Sequence, residues 1–489
     1  MKLKELLHRI KTNKVIGSLE IEINSITADS RKVCEGTCFI AIPGTKVDGH
    51  DFIEDTINKG VSAIVCTHIS DTIDYKNVSI IIVDNSTECA GIIASAFYNY
   101  PSEKLTLTGV TGTNGKTTTA TLLYKTFKSL GHKSGLLSTV ENYVDEKCYP
   151  ATQTTPDIFT INKLLAEMVN EGCEYCFMEV SSHAIAQKRI AGLNFKLGIF
   201  SNITLDHLDY HKTFAEYIKA KKLFFDNLPK TAFALTNGDD KNGMVMVQNS
   251  KAKIKTYGLK NFYDFKATIL ECNFEGMLMN ICGREMWTFL PGQFNAYNIL
   301  AVYSAATLLG INSEEVLTVL SGQRSVKGRF DIVNEAGITA IVDYAHTPDA
   351  LENVLKTIQN IRCKNQKIIT VCGCGGDRDK SKRPLMAKIA VEYSDKVILT
   401  SDNPRTENPE TILDEMFAGL NTEKLKAKAI RITDRKSAIQ ASCLAAQKND
   451  IILIAGKGHE NYQDVNGVKS HFDDKEIVSQ QLQQIKNIN

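Results

Sequence analysis

Short apolar runs alternate with polar, glycine-marked turns and helix-period segments along the whole chain, the signature of an α/β protein. In the first hundred residues Cys38–Ile42, Ala63–Cys66 and Val78–Val83 read as strands and Asp51–Asn58 as a helix. Tyr100-Pro101-Ser102 breaks the pattern and places a first boundary at residue 101. Leu105–Val110, Ser134–Leu137, Tyr175–Met178, Leu197–Phe200 and Ala232–Leu235 then alternate with helical stretches, which predicts a doubly wound parallel sheet. Between 253 and 290 the runs shorten (Lys253–Tyr257, Ala267–Leu270, Leu278–Ile281) and predict a small antiparallel sheet, followed by a helix over Asn295–Leu309. Gly328-Arg329 marks a second boundary. From Ile338 the alternation restarts through Thr339–Asp343, Lys367–Val371, Lys396–Thr400, Ala429–Ile432 and Ile451–Ile454, a Rossmann-like unit without a G-x-G-x-x-G fingerprint. Three domains are expected: 1–101, 102–328 and 329–489.

Composition narrows the class. The chain has 489 residues, 43% hydrophobic and 23% charged, as expected of a soluble globular protein. Its 57 basic and 56 acidic side chains give no electrostatic case for nucleic acid or an anionic membrane. The start, Met1 to His8, mixes charges with apolar residues and reads as a short amphipathic helix rather than an export signal. No apolar run reaches the roughly 18 residues of a membrane span. Thirteen scattered cysteines fit reduced thiols in a cytoplasm. Cys173-x-x-Cys176 and Cys372-x-Cys374 lie in or beside apolar runs with no second pair at zinc spacing, so they read as buried structural thiols.

The chemistry centres on Val110-Thr111-Gly112-Thr113-Asn114-Gly115-Lys116-Thr117-Thr118. An apolar strand enters it and a helical pattern leaves it, the context in which backbone N–H groups cradle phosphate. Lys116 would reach the outer phosphates and the Thr117 hydroxyl a Mg²⁺ ion. Val110 stands where the strict motif has glycine. Strand Tyr175–Met178 ends in Glu179, and Leu197–Phe200 leads to Asp206-His207-Leu208-Asp209-Tyr210-His211, so two strand ends offer metal-ligand types beside the loop. Lys219, Lys221 and Lys222 follow on a helix over Phe214–Phe225, where a solvated basic face is the plain reading. In the last domain Asp343–Pro348, Gly375–Lys380, Asp402–Arg405 and Gly456–Glu460 all follow strand ends. Their mixed arginines and acids suit a zwitterion. The polar loops Ala28–Arg31 and Gly44–Gly49 read, on their own, as surface turns.

These motifs, in this order, resemble the Mur ligases, in particular the branch that adds the third residue of the peptidoglycan stem peptide; the resemblance runs from Ser30 to Glu460. It implies a UDP-sugar-binding domain, a central ATPase and a C-terminal domain that receives an amino acid. It implies ATP-dependent joining of meso-2,6-diaminopimelate to UDP-MurNAc-L-Ala-D-Glu through an acyl phosphate. A monomer is expected, in the cytoplasm that the scattered thiols suggest. Carried over residue by residue, Gly112, Thr113, Asn114, Gly115, Lys116, Thr117, Thr118, Asn298, Arg329 and Asp343 would bind ATP. Thr117, Glu179, His207 and Lys221 would serve Mg²⁺, with Lys221 carrying a CO₂-derived carbamate (N6-carboxylysine); Lys219 and Lys222 leave that register to be tested. Lys116, Glu179, His207 and Lys221 form the implied catalytic set. Ala28, Ser30, Thr45, Lys46, Val47, Thr154, Thr155, Ser181, Gln187 and Arg189 match positions that bind the UDP-sugar dipeptide. Arg378, Asp402, Asn403, Pro404, Arg405, Gly456 and Glu460 match those that bind diaminopimelate, and Arg405 would pair its far carboxylate. Lysine-adding relatives lack that arginine, and a folate-glutamating relative has no use for the long N-terminal domain. A P-loop ATPase that joins nothing would leave the last-domain clusters without a task. A catalytically dead UDP-sugar-binding protein would be expected to have lost Lys116 or Glu179. Asp331 stands where relatives often carry glutamate.

Overall fold

The computed structural model describes residues 1–44, 47–70, 72–75 and 77–488. Thr45 and Lys46 lie outside the described residues. Among the described residues three large sheets and one two-stranded hairpin carry the chain. The first runs Lys14–Ile16, Ser79–Ile82, Ala63–Cys66, Thr37–Ile40, Ser25–Thr27, antiparallel only at its first pairing. Its two edge strands are three residues long and only partly buried, so they carry little apolar pattern. Asp51 and Phe52 close a 3₁₀ turn, and the α-helix proper is Ile53–Asn58. Helix Ser86–Phe97 packs the first sheet against the second unit: a Cβ on Gly91 would lie 2.3 Å from the Ala191 carbonyl oxygen.

The central sheet has eleven strands. Its parallel core places the loop strand Thr106–Thr111 between Tyr175–Glu179 and Phe195–Phe200. Phe233–Asn237 and Lys253–Gly258 extend it on one side and Ser134–Leu137 on the other. Here the structure revises the reading of 253–290. Lys253–Gly258 pairs in parallel with Phe233–Asn237, and Phe265–Asn273, Gly276–Ile281 and Arg284–Thr288 continue the same sheet as its antiparallel end. The exposed Lys253 and Ile254 and the half-buried Lys255 and Thr256 disguise a strand that is buried only at its end. A hairpin, Glu141–Val144 with Lys147–Pro150, closes the opposite edge. Helices Lys116–Ser129 and Gln293–Leu308 cover one face, burying Leu122, Leu123, Phe127, Ile299 and Leu300 against Val110, Phe177 and Ile199.

The last sheet runs Asp331–Glu335, Ile338–Asp343, Ile451–Ala455, Ile368–Cys372, Lys396–Leu399, Ala429–Arg431, parallel after the first pair. A hairpin, Tyr462–Val465 with Val468–His471, turns at Asn466-Gly467, both with positive φ. Cys173, Cys176, Cys372 and Cys374 are buried free thiols, and burial pushes Cys372 and Cys374 up to about 12. No helix among the described residues is long and apolar enough to cross a membrane.

Candidate active site

Strand register builds the phosphate side. Glu179 pairs with Val110 and Phe200 with Thr111, so Glu179 and the Ser201–Thr204 turn emerge on either side of the glycine loop. Val110 is extended and fully buried inside the strand, a position that asks nothing of glycine. The turn demands glycine two residues later: Gly112 has φ +150° and a Cβ there would lie 1.9 Å from Ser201 Oγ. The loop is pinned from outside. Thr113 and Asn114 N–H groups donate to the Asn202 carbonyl and Oδ1 at 2.8 and 2.9 Å, and Ser201 Oγ donates to the Asn114 carbonyl at 2.6 Å. Gly115, at φ +86°, opens helix Lys116–Ser129, and its missing Cβ leaves room for Asn298 Oδ1. Lys116 Nζ bends back to the Gly112 and Thr113 carbonyls, and burial lowers its pKa.

Glu179 is wholly buried. Its Oε1 accepts from the Thr139 N–H and hydroxyl at 2.7 and 2.9 Å, while Oε2 has no partner. An unpaired buried carboxylate oxygen is costly unless a cation or donor joins it. The structure places the three lysines differently. Lys219 is exposed beside Glu216, Lys222 pairs with Asp226 at 2.6 Å, and Lys221 is buried with Tyr217 and Phe224. Lys221 Nζ donates to the Gly112 carbonyl at 2.7 Å, beneath the phosphate loop. Burial first, then Lys116, depresses its pKa well below the ordinary amine value. His207 sits in a left-handed conformation beside Asp206 and packs against His183, whose ring touches Tyr210 and His211. Burial holds His183, His207 and His211 down to about 4, so all three rings are neutral at physiological pH. Among the described residues no three His, Cys, Asp or Glu side chains gather as a ready-made metal cluster.

The last domain reaches into the same loop. Arg329 Nη2 donates to Thr117 Oγ1 at 3.1 Å and its guanidinium lies 4.4 Å over the Tyr344 ring. Asp343 accepts from the Phe330 N–H at 2.6 Å, and burial pushes it up to about 6. Asp349, at the start of helix Pro348–Ile361, accepts from Asn114 Nδ2 at 2.8 Å and Thr204 Oγ1 at 3.1 Å. A cavity of about 700 Å³ is lined by Thr113–Thr118, Glu179, His207, Asn298, Arg329 and Asp343.

A second cavity, about 710 Å³, holds Arg378, Asp402, Asn403, Arg405, Gly456 and Glu460. Arg378 is exposed at its rim. Arg405 takes a left-handed backbone, φ +52°, held by its N–H to the Asp464 carbonyl at 3.0 Å and by the Asn466 N–H to its own carbonyl at 2.7 Å. Its Nη1 donates to the Gly376 carbonyl at 2.7 Å. Asn403 accepts from buried Lys457 at 2.9 Å and donates to Glu460 Oε2 at 2.7 Å. Pro404 packs behind this wall, its carbonyl against Gly376. The two cavities share Thr139, Thr154, Asp206, His207, Tyr344 and His346.

Thr155, Ser181, Gln187 and Arg189 form one network behind the Glu179 strand end. The Thr155 hydroxyl donates to the Glu179 carbonyl at 2.8 Å, and Arg189 donates to the Thr155 carbonyl at 2.9 Å and to Gln187 Oε1. Thr154 is tied to Thr139 at 3.2 Å. Ala28, Ser30 and Val47 stand on the first sheet's loops, with the Ser30 carbonyl accepting from Lys59. Thr139, Asp349 and Lys457 are residues that the sequence alone does not single out. Thr139 follows a strand end as Glu179 does, which was the available signal; Asp349 and Lys457 lay inside recognised motifs but act through partners distant in the chain.

A phosphate loop whose cavity opens onto an acid- and arginine-lined pocket in another domain defines a class, the phosphate-loop ligases. Three family descriptions match in order: "Mur ligase family, catalytic domain" over 22–98, "Mur ligase middle domain" over 110–306, and "Mur ligase, glutamate ligase domain" over 328–458. The chain belongs to the Mur ligase family. It is 56% identical over 479 residues to a UDP-N-acetylmuramoyl-L-alanyl-D-glutamate–2,6-diaminopimelate ligase of Phocaeicola vulgatus, covering 98% of this chain and 99% of that one. A solved structure described by the same enzyme name superposes with TM-score 0.70 at 30% identity over 99% of both chains. The Mur ligase MurF of Thermotoga maritima, solved with ADP, shares the fold at TM-score 0.60 and 17% identity, over 94% of this chain and 98% of that one.

Proposed function

We propose that this protein uses ATP to join meso-2,6-diaminopimelate to the D-glutamate of UDP-N-acetylmuramoyl-L-alanyl-D-glutamate, in the cytoplasmic stage of peptidoglycan synthesis. The observation that carries the reading is the meeting of the two cavities at Asp206, His207, Tyr344 and His346. A phosphate bound at one end and an amine at the other can both reach a carboxylate there. In the first step a carboxylate oxygen attacks the γ-phosphorus and ADP leaves. In the second the neutral amine attacks the acyl carbon, inorganic phosphate leaves, and the amine's proton passes to solvent.

The chain's residues have separate tasks in this reading. Gly112–Thr118 cradle the phosphates, Lys116 neutralises the transferring group, and Asn298, Arg329 and Asp343 hold the remainder of the nucleotide. Thr117, Glu179 and His207 would hold Mg²⁺, which supplies charge neutralisation at the phosphoryl oxygens; the partnerless Glu179 Oε2 and the neutral His207 ring suit that cation. Lys221 is the carbamylation candidate, since a depressed pKa supplies the free amine that CO₂ requires. Arg405 and Arg378 would take carboxylates of the amino acid, and Asp402 and Glu460 its ammonium groups. Thr154, Thr155, Ser181, Gln187 and Arg189, with Ala28, Ser30, Thr45, Lys46 and Val47, would hold the UDP-sugar dipeptide. We read the protein as a monomer, and its unpaired cysteines suit a reducing compartment. The test is phosphate release. It should need the UDP-sugar dipeptide, an amino acid and Mg²⁺ together, and equal release with L-lysine and meso-diaminopimelate would overturn the specificity.

A further inference from the structure

Behind the amino-acid pocket lies an ion pair that the mechanism above does not use. Arg435 and Asp474 are both fully buried and paired through two bonds, Nε to Oδ1 at 2.8 Å and Nη2 to Oδ2 at 2.7 Å. A buried pair of this kind is weak evidence for stability, because desolvating both charges offsets their attraction. Its remaining donors point to a different task. Nη2 also donates to the Ala455 carbonyl at 3.1 Å, and Nη1 to the Ser401 carbonyl at 3.4 Å. Ser401 and Ala455 immediately precede Asp402 and Gly456. They leave two strands, Lys396–Leu399 and Ile451–Ala455, that are separated by Ile368–Cys372 and so share no ladder bonds.

The spacing of those strand ends matters on the pocket side. A Cβ on Gly456, at φ +119°, would lie 2.5 Å from Asp402 Oδ2, so the Asp402 carboxylate sits directly over the Gly456 backbone. One guanidinium therefore links, from behind, the two segments whose front surfaces form the acidic wall. Its charge also faces Asp402. The anchor extends toward the domain junction. Asp473 pairs with Lys327 at 3.3 Å and Lys475 with Asp331 at 2.9 Å, on either side of Gly328-Arg329.

We propose that Arg435, braced by Asp474, is a positioning residue for the amino-acid pocket: it sets the distance between Asp402 and Gly456 and thereby the affinity for the incoming amine. The proposal rests on the functional reading above. A merely structural role would lower the active fraction and leave every KM unchanged. A positioning role raises KM for the amino acid alone. Arg435→Met should raise KM for meso-diaminopimelate by about tenfold or more, with KM for ATP held within about twofold. Arg435→Lys, keeping the charge, should recover part of the loss, and Asp474→Asn should fall between. Melting curves recorded beside the kinetics show which variants fold; where Arg435→Met does not, Arg435→Lys and Asp474→Asn carry the same comparison. KM values that move together for all substrates, or a KM for meso-diaminopimelate that does not move, overturn the proposal. Failure of the wild type to use meso-diaminopimelate would instead overturn the functional reading, and the same KM comparison run with L-lysine would still decide this one.

Discussion

The two ends of the cleft are built on different principles. On the phosphate side, a backbone loop is held rigid by neighbours at two strand ends, and the groups facing the cavity are left incompletely paired: Glu179 Oε2 and Arg329 Nε have no partner. On the amino-acid side most of the polar side chains are satisfied, Lys457 by Asn403, Asn403 by Glu460 and Arg405 by the Gly376 carbonyl, with His459 Nδ1 the buried exception. The first end is a fixed receptor for charge that every turnover must bring. In the proposed reaction the second would be a set of exchangeable contacts that an incoming zwitterion replaces, and so the end where one amine is preferred over another.

The sharpest way to break this contrast is at Glu179. Glu179→Gln keeps the shape and the Thr139 bonds but removes the anion, and should lower kcat by roughly 10³-fold with any amino acid, as expected for loss of charge stabilisation at the reacting phosphate. Steady-state phosphate release with two different amines measures it. A loss that appeared with one amine and not the other would put Glu179 on the wrong side of the contrast. Lys221→Ala should come next, at about 10²-fold. Intact-mass measurement of the wild type in bicarbonate buffer should show one added CO₂, absent from the variant. Full activity without Lys221 would dismiss its role and leave its burial unexplained.

The same contrast accounts for what the sequence disclosed. The phosphate loop is legible because strand, turn and helix are contiguous, and Gly112 and Gly115 are required by local backbone geometry. Glu179 and the Asp206–His211 run were placed by the rule that ligands sit at carboxyl ends of strands, which register then made concrete. The resemblance points to Lys221 among three closely spaced lysines, but its burial with Tyr217 and Phe224 is not something the local sequence reveals. Asp349, Lys457 and Arg435 act across 235, 54 and 39 residues respectively, so no local pattern marks them. The parallel pairing of Lys253–Gly258 is not legible for a related reason: only Tyr257 and Gly258 are buried, so the segment lacks the continuous apolar run of an interior parallel strand. The Asn466-Gly467 hairpin did carry a local signal, an Asn-Gly pair, though not one tied to any chemistry.

At the seam between the two ends stands Asp343, and it yields a pH dependence. Burial raises its folded-state pKa from 3.8 to about 6. The native state therefore holds a proton between those values that the unfolded chain has released, so stability falls as pH rises through this window and the full penalty is present above it. A shift of this size corresponds to about 3 kcal/mol. Asp343→Asn has no such dependence at this position. The stability of the variant relative to wild type should thus improve by most of that amount between pH 4 and pH 7, read from denaturant unfolding at each pH. A gap that stays constant with pH would show that Asp343 is ionised without cost.

Arg405 gives the smallest effect and the most selective one. Its Nη1 is bonded to the Gly376 carbonyl, and its backbone is fixed by the Asp464–Asn466 hairpin segment, so an incoming carboxylate would exchange one side-chain bond against a backbone that is already set. A bidentate contact to the far carboxylate of diaminopimelate contributes roughly 1.5–3 kcal/mol net. Arg405→Ala should therefore lower kcat/KM for meso-diaminopimelate by about ten- to a hundredfold, chiefly through KM, with KM for ATP unmoved. Lysine has no carboxylate at that end and leaves the arginine unpaired, so the variant should use L-lysine no worse than the wild type does. Arg405→Lys keeps the charge but not the fork, and should recover only part of the loss. If Arg405→Ala damaged ATP use as much as diaminopimelate use, the two ends of the cleft would not be separable. If it damaged both amines equally, Arg405 would serve the shared backbone of the amino acid and not the group that distinguishes them.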